Sequence, residues 1–117
     1  FGSLAMMTSV LVSPDGNYEF EAAHGTITRH YYRHLKGEAT SSNPVAMIFA
    51  WAGALSKRGE LDGNSELFSF GEKLKAATMD TINSGVMTGD LAALCDDKTV
   101  KGVNYDEFLA EIRARLM

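Results

Sequence analysis

Hydrophobic and polar positions divide this chain into a short β segment followed by a series of helices. Met6 to Val12 (MMTSVLV) is an apolar, β-branched run of the kind that forms a buried strand. Ser13-Pro14-Asp15-Gly16-Asn17 follows, with proline presetting φ and Gly16 free to take φ > 0, so a turn is expected. From Tyr18 to Ala23, Tyr18, Phe20 and Ala22 alternate with Glu19 and Glu21, the pattern of a half-buried strand. Together these segments predict a β-hairpin.

Five helices are predicted beyond it. A short polar helix runs from about Ile27 to Lys36, with Gly37 placed for a left-handed cap. Asn43 as N-cap and Pro44 at the first position open a second helix that reaches about Lys57. This helix is apolar nearly all round, with Ile48, Phe49, Trp51 and Leu55, and so is expected in the middle of a core. Its end would hold Lys57 and Arg58, where cations suit the helix dipole. Gly53 and Ala54 would allow a neighbour to approach closely. Leu67, Phe70, Leu74, Thr78 and Ile82 keep a helical period over Ser65 to about Asn83, ended by Gly85. Thr88 can cap a short helix carrying Leu91 and Leu94. Asn104 with Glu107 forms a capping-box pair opening a last helix, whose stripe is Phe108, Ile112 and Leu116, with Arg113 and Arg115 near its negative end. No internal repeat, linker or low-complexity stretch interrupts the chain, so residues 1–117 are expected to act as one unit.

Composition narrows the function classes. With 117 residues, a formal charge of −4 and 45% hydrophobic residues, the chain matches one ordinary domain or a contiguous piece of one. The acidic balance gives no general attraction to nucleic acid or to anionic membrane. The longest apolar run, Val45 to Leu55, is short of the roughly 20 residues of a membrane span. Cys95 is the single cysteine, which rules out an internal disulfide and a zinc–thiolate cluster and fits a reducing compartment. The chain opens on Phe1 without an initiator methionine, a helix cap or a turn signal, so an upstream partner segment is expected.

Against that acidic background, His24 to Lys36 holds all three histidines with Arg29, Arg33 and Lys36, and no acidic residue. The cluster sits where a strand passes to a helix through His24-Gly25-Thr26. A helix's first turn offers unpaired N–H groups and partial positive charge, which suits an anion. Gly25 permits close backbone approach, Thr26 and Thr28 add hydroxyls, Arg29 can clamp two phosphate oxygens, and His30 adds a donor strengthened by protonation. Residue chemistry alone leaves other readings open. The same pattern suits a solvated helix face, and His30 with His34 has the i, i+4 spacing of metal pairs, although no carboxylate or thiolate lies near. Tyr31 and Tyr32 beside arginines could stack on single-stranded nucleic acid, which the short patch and the net charge disfavour. Asp96-Asp97, the paired carboxylates, precede a lysine in a predicted loop and read as a solvated pair.

The string FGSLAMMTSVLVSPDG, then EAAHGTITRH, TSSNP, RGELDGN and SGVMTGDLA, resembles the NADP-dependent isocitrate dehydrogenases of the dimeric type found in eukaryotes and many bacteria. The resemblance covers nearly the whole chain and thins after about Cys95. It implies an α/β fold: the C-terminal, coenzyme-binding part of the large domain of an isocitrate/isopropylmalate dehydrogenase-like fold, built as a short β-hairpin followed by about five helices. It implies that His24, Gly25 and Thr26 line the adenosine and phosphate side of NADP, that Thr28, Arg29 and His30 lie near the 2′-phosphate, and that Asn43 hydrogen-bonds the adenine. Glu21 matches a glutamate close to the coenzyme and Asp90 an aspartate near the adenine. Gly89 stands where relatives often have a lysine, which removes one cationic contact. The catalytic tyrosine and lysine, the substrate arginines for isocitrate and the ligands of Mg2+ or Mn2+ would come from upstream sequence, so no catalytic or metal residue is assigned here. The resemblance further implies a homodimer and a cytoplasmic setting, with mitochondria also an address of the family. The alternative from the residues is an isolated, non-catalytic folding unit or a nucleotide-phosphate-binding module. No G-x-G-x-x-G or Walker sequence occurs, so the common dinucleotide fold is not expected.

Overall fold

The computed structural model describes residues 3–23 and 28–117. A 3-10 turn, Ser3–Met6, leads into strand β1, Thr8–Val12, and strand β2, Tyr18–Ala22. The helices are α1 (Thr28–Leu35), α2 (Val45–Asp62), α3 (Ser65–Asn83), α4 (Gly89–Leu94) and α5 (Tyr105–Leu116). Among the described residues the architecture is a two-stranded antiparallel hairpin followed by five α-helices, as expected.

The hairpin pairs Thr8 with Ala22 through to Val12 with Tyr18. Its turn closes with the Ser13 N–H donating to the Asn17 carbonyl at 2.9 Å and the Gly16 N–H to the Ser13 carbonyl at 3.0 Å. Gly16 adopts φ 81°, a left-handed conformation that costs glycine little. One expectation fails here. β1 is not buried: Val10, Leu11 and Val12 are all exposed. A two-stranded sheet has two edges, and among the described residues α2 packs on the hairpin while β1's outer side is uncovered.

α2 starts one residue later than expected, with Pro44 at the N-cap and Val45 as the first helical residue. The Asn43 Oδ1 accepts from the Val45 N–H at 2.9 Å, and the Pro44 carbonyl accepts from the Ile48 N–H at 2.9 Å. Its end is five residues later than Lys57. The helix continues to Asp62 and stops at Gly63, which takes φ 64°, with the Asn64 N–H returning to the Gly59 carbonyl at 2.8 Å. Lys57 and Arg58 are therefore interior helix residues, bridged to Glu60 and Asp62 one turn on, instead of cations facing a helix end.

The expectation that α2 runs through the middle of a core is also corrected. Its buried positions are Val45, Ala46, Ala50, Ala52, Ser56 and Gly59, whereas Trp51 is 62% exposed and Met47 45%. The physical reason is a seam of small residues. An added Cβ at Gly71 of α3 would overlap Ser56 Oγ and lie 2.6 Å from the Ala52 carbonyl oxygen, so the two helices approach backbone to backbone. Close approach along that seam leaves the larger side chains of α2 pointing elsewhere. In α3, Phe70 is likewise exposed, while Thr78 and Thr81 are fully buried with hydroxyls donating to the carbonyls of Leu74 and Ala77.

The core lies between α2, α3, α4 and α5: Val45, Ala77, Met87, Leu91, Ala92, Phe108 and Ile112. Phe108 is wholly buried, which is worth roughly 1.5–3 kcal/mol of transfer free energy. α5 is held at its start by the Asn104 Oδ1 accepting from the Glu107 N–H at 2.9 Å. At its end Arg115 bridges Glu111 at 2.8 Å and donates to Ser84 Oγ at 2.9 Å, tying α5 to the end of α3. On the short helix α4, Leu91 is buried and Leu94 exposed. Among the described residues no helix is long and apolar enough to cross a membrane.

Candidate functional site

The residues singled out from the sequence fall into two groups. The first surrounds the passage from β2 to α1. His24, Gly25 and Thr26 lie outside the described residues. Glu21 stands opposite Ser9 in the hairpin and accepts its hydroxyl at 2.6 Å, which fixes the carboxylate on an exposed face. α1 buries none of its residues, and Tyr31, Tyr32 and Leu35 are all more than half exposed. Thr28 and Arg29 are exposed on its first turn and His30 is half-buried.

The charge of this helix is only partly compensated. Arg33 pairs with Glu38 at 2.8 Å, a carboxylate that lies just beyond the basic stretch and folds back through the Gly37 turn. Among the described residues Arg29 and Lys36 form no ion pair. Among the described residues His30 Nδ1, which is buried, has no hydrogen-bond partner. Such an atom costs about 1–3 kcal/mol relative to a satisfied one, so a ligand group reaching it is favoured. No group of three or more His, Cys, Asp or Glu side chains among the described residues is placed to hold a metal ion.

The second group is built around Asn43. The parallel bridge between Thr88 and Val103, with the Val103 N–H donating to the Met87 carbonyl at 2.8 Å, fixes the start of α4. Ser41 then ties the segment before α2 to it. Its hydroxyl donates to the Val103 carbonyl at 2.9 Å and accepts from the Gly89 N–H at 3.2 Å. The backbones are close here: a Cβ on Gly102 would overlap Gly89.

This clamp brings together two residues 47 positions apart. Asn43 Nδ2 donates to Asp90 Oδ2 at 2.8 Å and to the Ala5 carbonyl at 3.0 Å. The other carboxylate oxygen of Asp90 accepts the Thr88 hydroxyl at 2.6 Å. Asn43 is half-buried and Asp90 exposed, so the pair faces outward at the junction of α2 and α4. Thr88 sits at the N-cap of α4 but makes no capping bond with its side chain. Ser41, Thr88 and the Ala5 carbonyl were not singled out from the sequence as site residues. Ser41 falls inside the TSSNP motif, a usable signal, whereas the sequence marks Thr88 only as a helix cap.

The remaining charged features belong to the frame. Thr99 donates to Asp97 Oδ1 from its hydroxyl at 2.6 Å and from its N–H at 2.9 Å, and these two bonds hold the Asp97 carboxyl below its ordinary range. Hydrogen bonding to Glu60 raises the Lys57 ammonium above its ordinary value, and the same ammonium lies 4.8 Å from the Tyr18 ring centroid.

The sequence profile of the isocitrate/isopropylmalate dehydrogenase family matches residues 1–112. The peroxisomal isocitrate dehydrogenase (NADP) of Arabidopsis thaliana is 52% identical over 125 residues, covering 100% of this chain and 30% of its own length. The mitochondrial isocitrate dehydrogenase (NADP) of Saccharomyces cerevisiae is 50% identical over 119 residues, and that of Sus scrofa 58% over 122 residues. Each alignment takes in 99% of this chain and 28% or 29% of the relative. The chain thus spans less than a third of the length of the relatives it matches.

Proposed function

Because this chain belongs to the isocitrate/isopropylmalate dehydrogenase family, we propose that it supplies the adenosine and 2′-phosphate side of the coenzyme site of an NADP-dependent isocitrate dehydrogenase. The complete enzyme would oxidise and decarboxylate isocitrate to 2-oxoglutarate, with residues 1–117 acting as one coenzyme-binding unit. The observation that carries the reading is the direct hydrogen bond from Asn43 to Asp90. The resemblance assigns both residues to the adenine from separate stretches of sequence, and their contact brings them onto one surface.

The chemistry of the remaining residues fits the coenzyme. Arg29 is exposed and unpaired among the described residues, so it reaches a phosphate without first breaking an ion pair. The orphaned Nδ1 of His30 gains a partner if a phosphate oxygen approaches. NADP differs from NAD by one ribose phosphate, and an arginine is the usual device for accepting it. A charge-assisted bond contributes about 1.5–3 kcal/mol when desolvated. Arg29 is open to solvent, so the lower end applies, and that corresponds to about a tenfold preference for NADP. NADP, when bound, accepts the hydride in the oxidation step. This chain's part is to bind and orient it: Asn43 at the base, Thr28, Arg29 and His30 at the 2′-phosphate, and His24, Gly25 and Thr26 along the adenosine. The resemblance places the ligands of the Mg2+ or Mn2+ that would polarise the substrate carbonyl outside this segment.

The test is a titration of the purified chain with NADP and then NAD, followed by backbone amide shifts. The reading expects NADP to perturb residues 24–30 and Asn43, with NAD weaker. Shifts confined to other segments would contradict it.

A further inference from the structure

We propose that Thr88 is a positioning residue that acts through Asp90 to fix which face of the Asn43 carboxamide meets a ligand. Three neighbours agree on the orientation of that amide. The Val45 N–H can only donate, so the atom facing it at 2.9 Å is the oxygen. The Ala5 carbonyl can only accept, and the Asp90 carboxylate, whose other oxygen already accepts from Thr88, accepts here too, so the atom facing both is the nitrogen. A flipped amide would set oxygen against oxygen twice and nitrogen against an N–H once.

The consequence is a restricted donor and acceptor inventory. Both Nδ2 hydrogens are engaged, and one of the two Oδ1 lone pairs is taken by Val45. What Asn43 has left to offer is one acceptor site. A ligand group that pairs with it must bring a hydrogen, as the exocyclic amino group of adenine does and a 6-oxo purine at the same position does not.

Thr88 is what holds the carboxylate in place. Its side chain is wholly buried, and its hydroxyl is committed to Asp90 Oδ1 at 2.6 Å, although a threonine at a helix N-cap ordinarily accepts a backbone N–H. The Gly89 N–H beside it donates to Ser41 Oγ at 3.2 Å. Asp90 is exposed, and without the Thr88 hydroxyl it is free to swing toward water, releasing one Asn43 hydrogen to act as a donor. The selectivity is thus set two residues away from the ligand. It rests on the reading above that Asn43 faces the adenine.

Two measurements separate the relay from that reading. In the free chain, the Nδ2 hydrogens of Asn43 exchange with water more slowly than those of exposed Asn17. Thr88→Val speeds that exchange about tenfold, as does Asp90→Ala, and Thr88→Ser restores it. In titrations with NADP and with its hypoxanthine analogue, the wild-type chain prefers the 6-amino form about tenfold, and Thr88→Val and Asp90→Ala bring the ratio close to one. Unchanged Asn43 exchange in both variants overturns the relay. Faster exchange with no preference in the wild-type chain overturns the placement of Asn43 at the adenine, and the proposed selectivity with it.

Discussion

Gly71→Ala lowers the stability of this chain by about 2 kcal/mol, against the usual benefit of alanine in a helix. Gly71 is buried in α3 where it crosses α2. A Cβ there would overlap Ser56 Oγ and stand 2.6 Å from the Ala52 carbonyl oxygen and 2.8 Å from the Ser56 nitrogen. Two of these three atoms are backbone and cannot rotate away. Ordinary contact lies near 3.5–4.0 Å, so the helices must part by roughly 1 Å. Overpacking of this kind costs about 1–3 kcal/mol. The Ser56 hydroxyl also loses its bond to Glu72 at 2.9 Å, about 1 kcal/mol more. The alanine's helix propensity returns about 1 kcal/mol. Thermal unfolding followed by circular dichroism would show a midpoint lower by roughly 6–10 °C. Gly53→Ala is the control, because its Cβ would meet only the Phe20 ring, at 3.0 and 3.1 Å, and a ring can turn aside. Its midpoint stays near that of the wild type. A Gly71→Ala chain that melts at or above the wild-type temperature would refute the account of the α2–α3 seam.

Two further outcomes follow from the frame around the site. Asn104→Ala removes the cap on α5 and costs about 1 kcal/mol, seen as faster hydrogen exchange at the Glu107 amide while the amides of α3 are little changed. The Asp97 carboxyl, held low by the Thr99 hydroxyl and N–H, contributes stability that is present above about pH 4 and is lost as pH falls through its lower folded-state value. Thr99→Val raises the Asp97 titration midpoint part of the way toward the ordinary range, measured by side-chain carboxyl shifts against pH.

The local parts of the fold were legible because single residues carry them. Pro14 and Gly16 announce the hairpin turn, Asn43 with Pro44 announces the start of α2, and Asn104 announces α5, each by backbone chemistry that needs no distant partner. The end of α2 was misplaced because Lys57 and Arg58 look like terminal cations, while the residue that stops the helix is Gly63 in a left-handed conformation. Burial was the least legible property. The all-round apolarity of α2 pointed to a core helix, yet Gly71 and Ser56 draw α3 against its small residues and leave Trp51 exposed. For the site, the basic stretch around Arg29 was visible as composition, but its partial neutralisation by Glu38 depends on the Gly37 turn. The Asn43–Asp90 bond spans 47 positions and arises from the Ser41 clamp on Val103, which no spacing rule encodes.

If, as proposed, this chain carries the part of the site that tells NADP from NAD, the ratio of their dissociation constants shows it. The wild-type ratio is expected to be about ten in favour of NADP, falling close to one in Arg29→Ala while NAD affinity is unchanged. Equal binding of the two coenzymes by the wild-type chain, or a preference that survives Arg29→Ala, would contradict it.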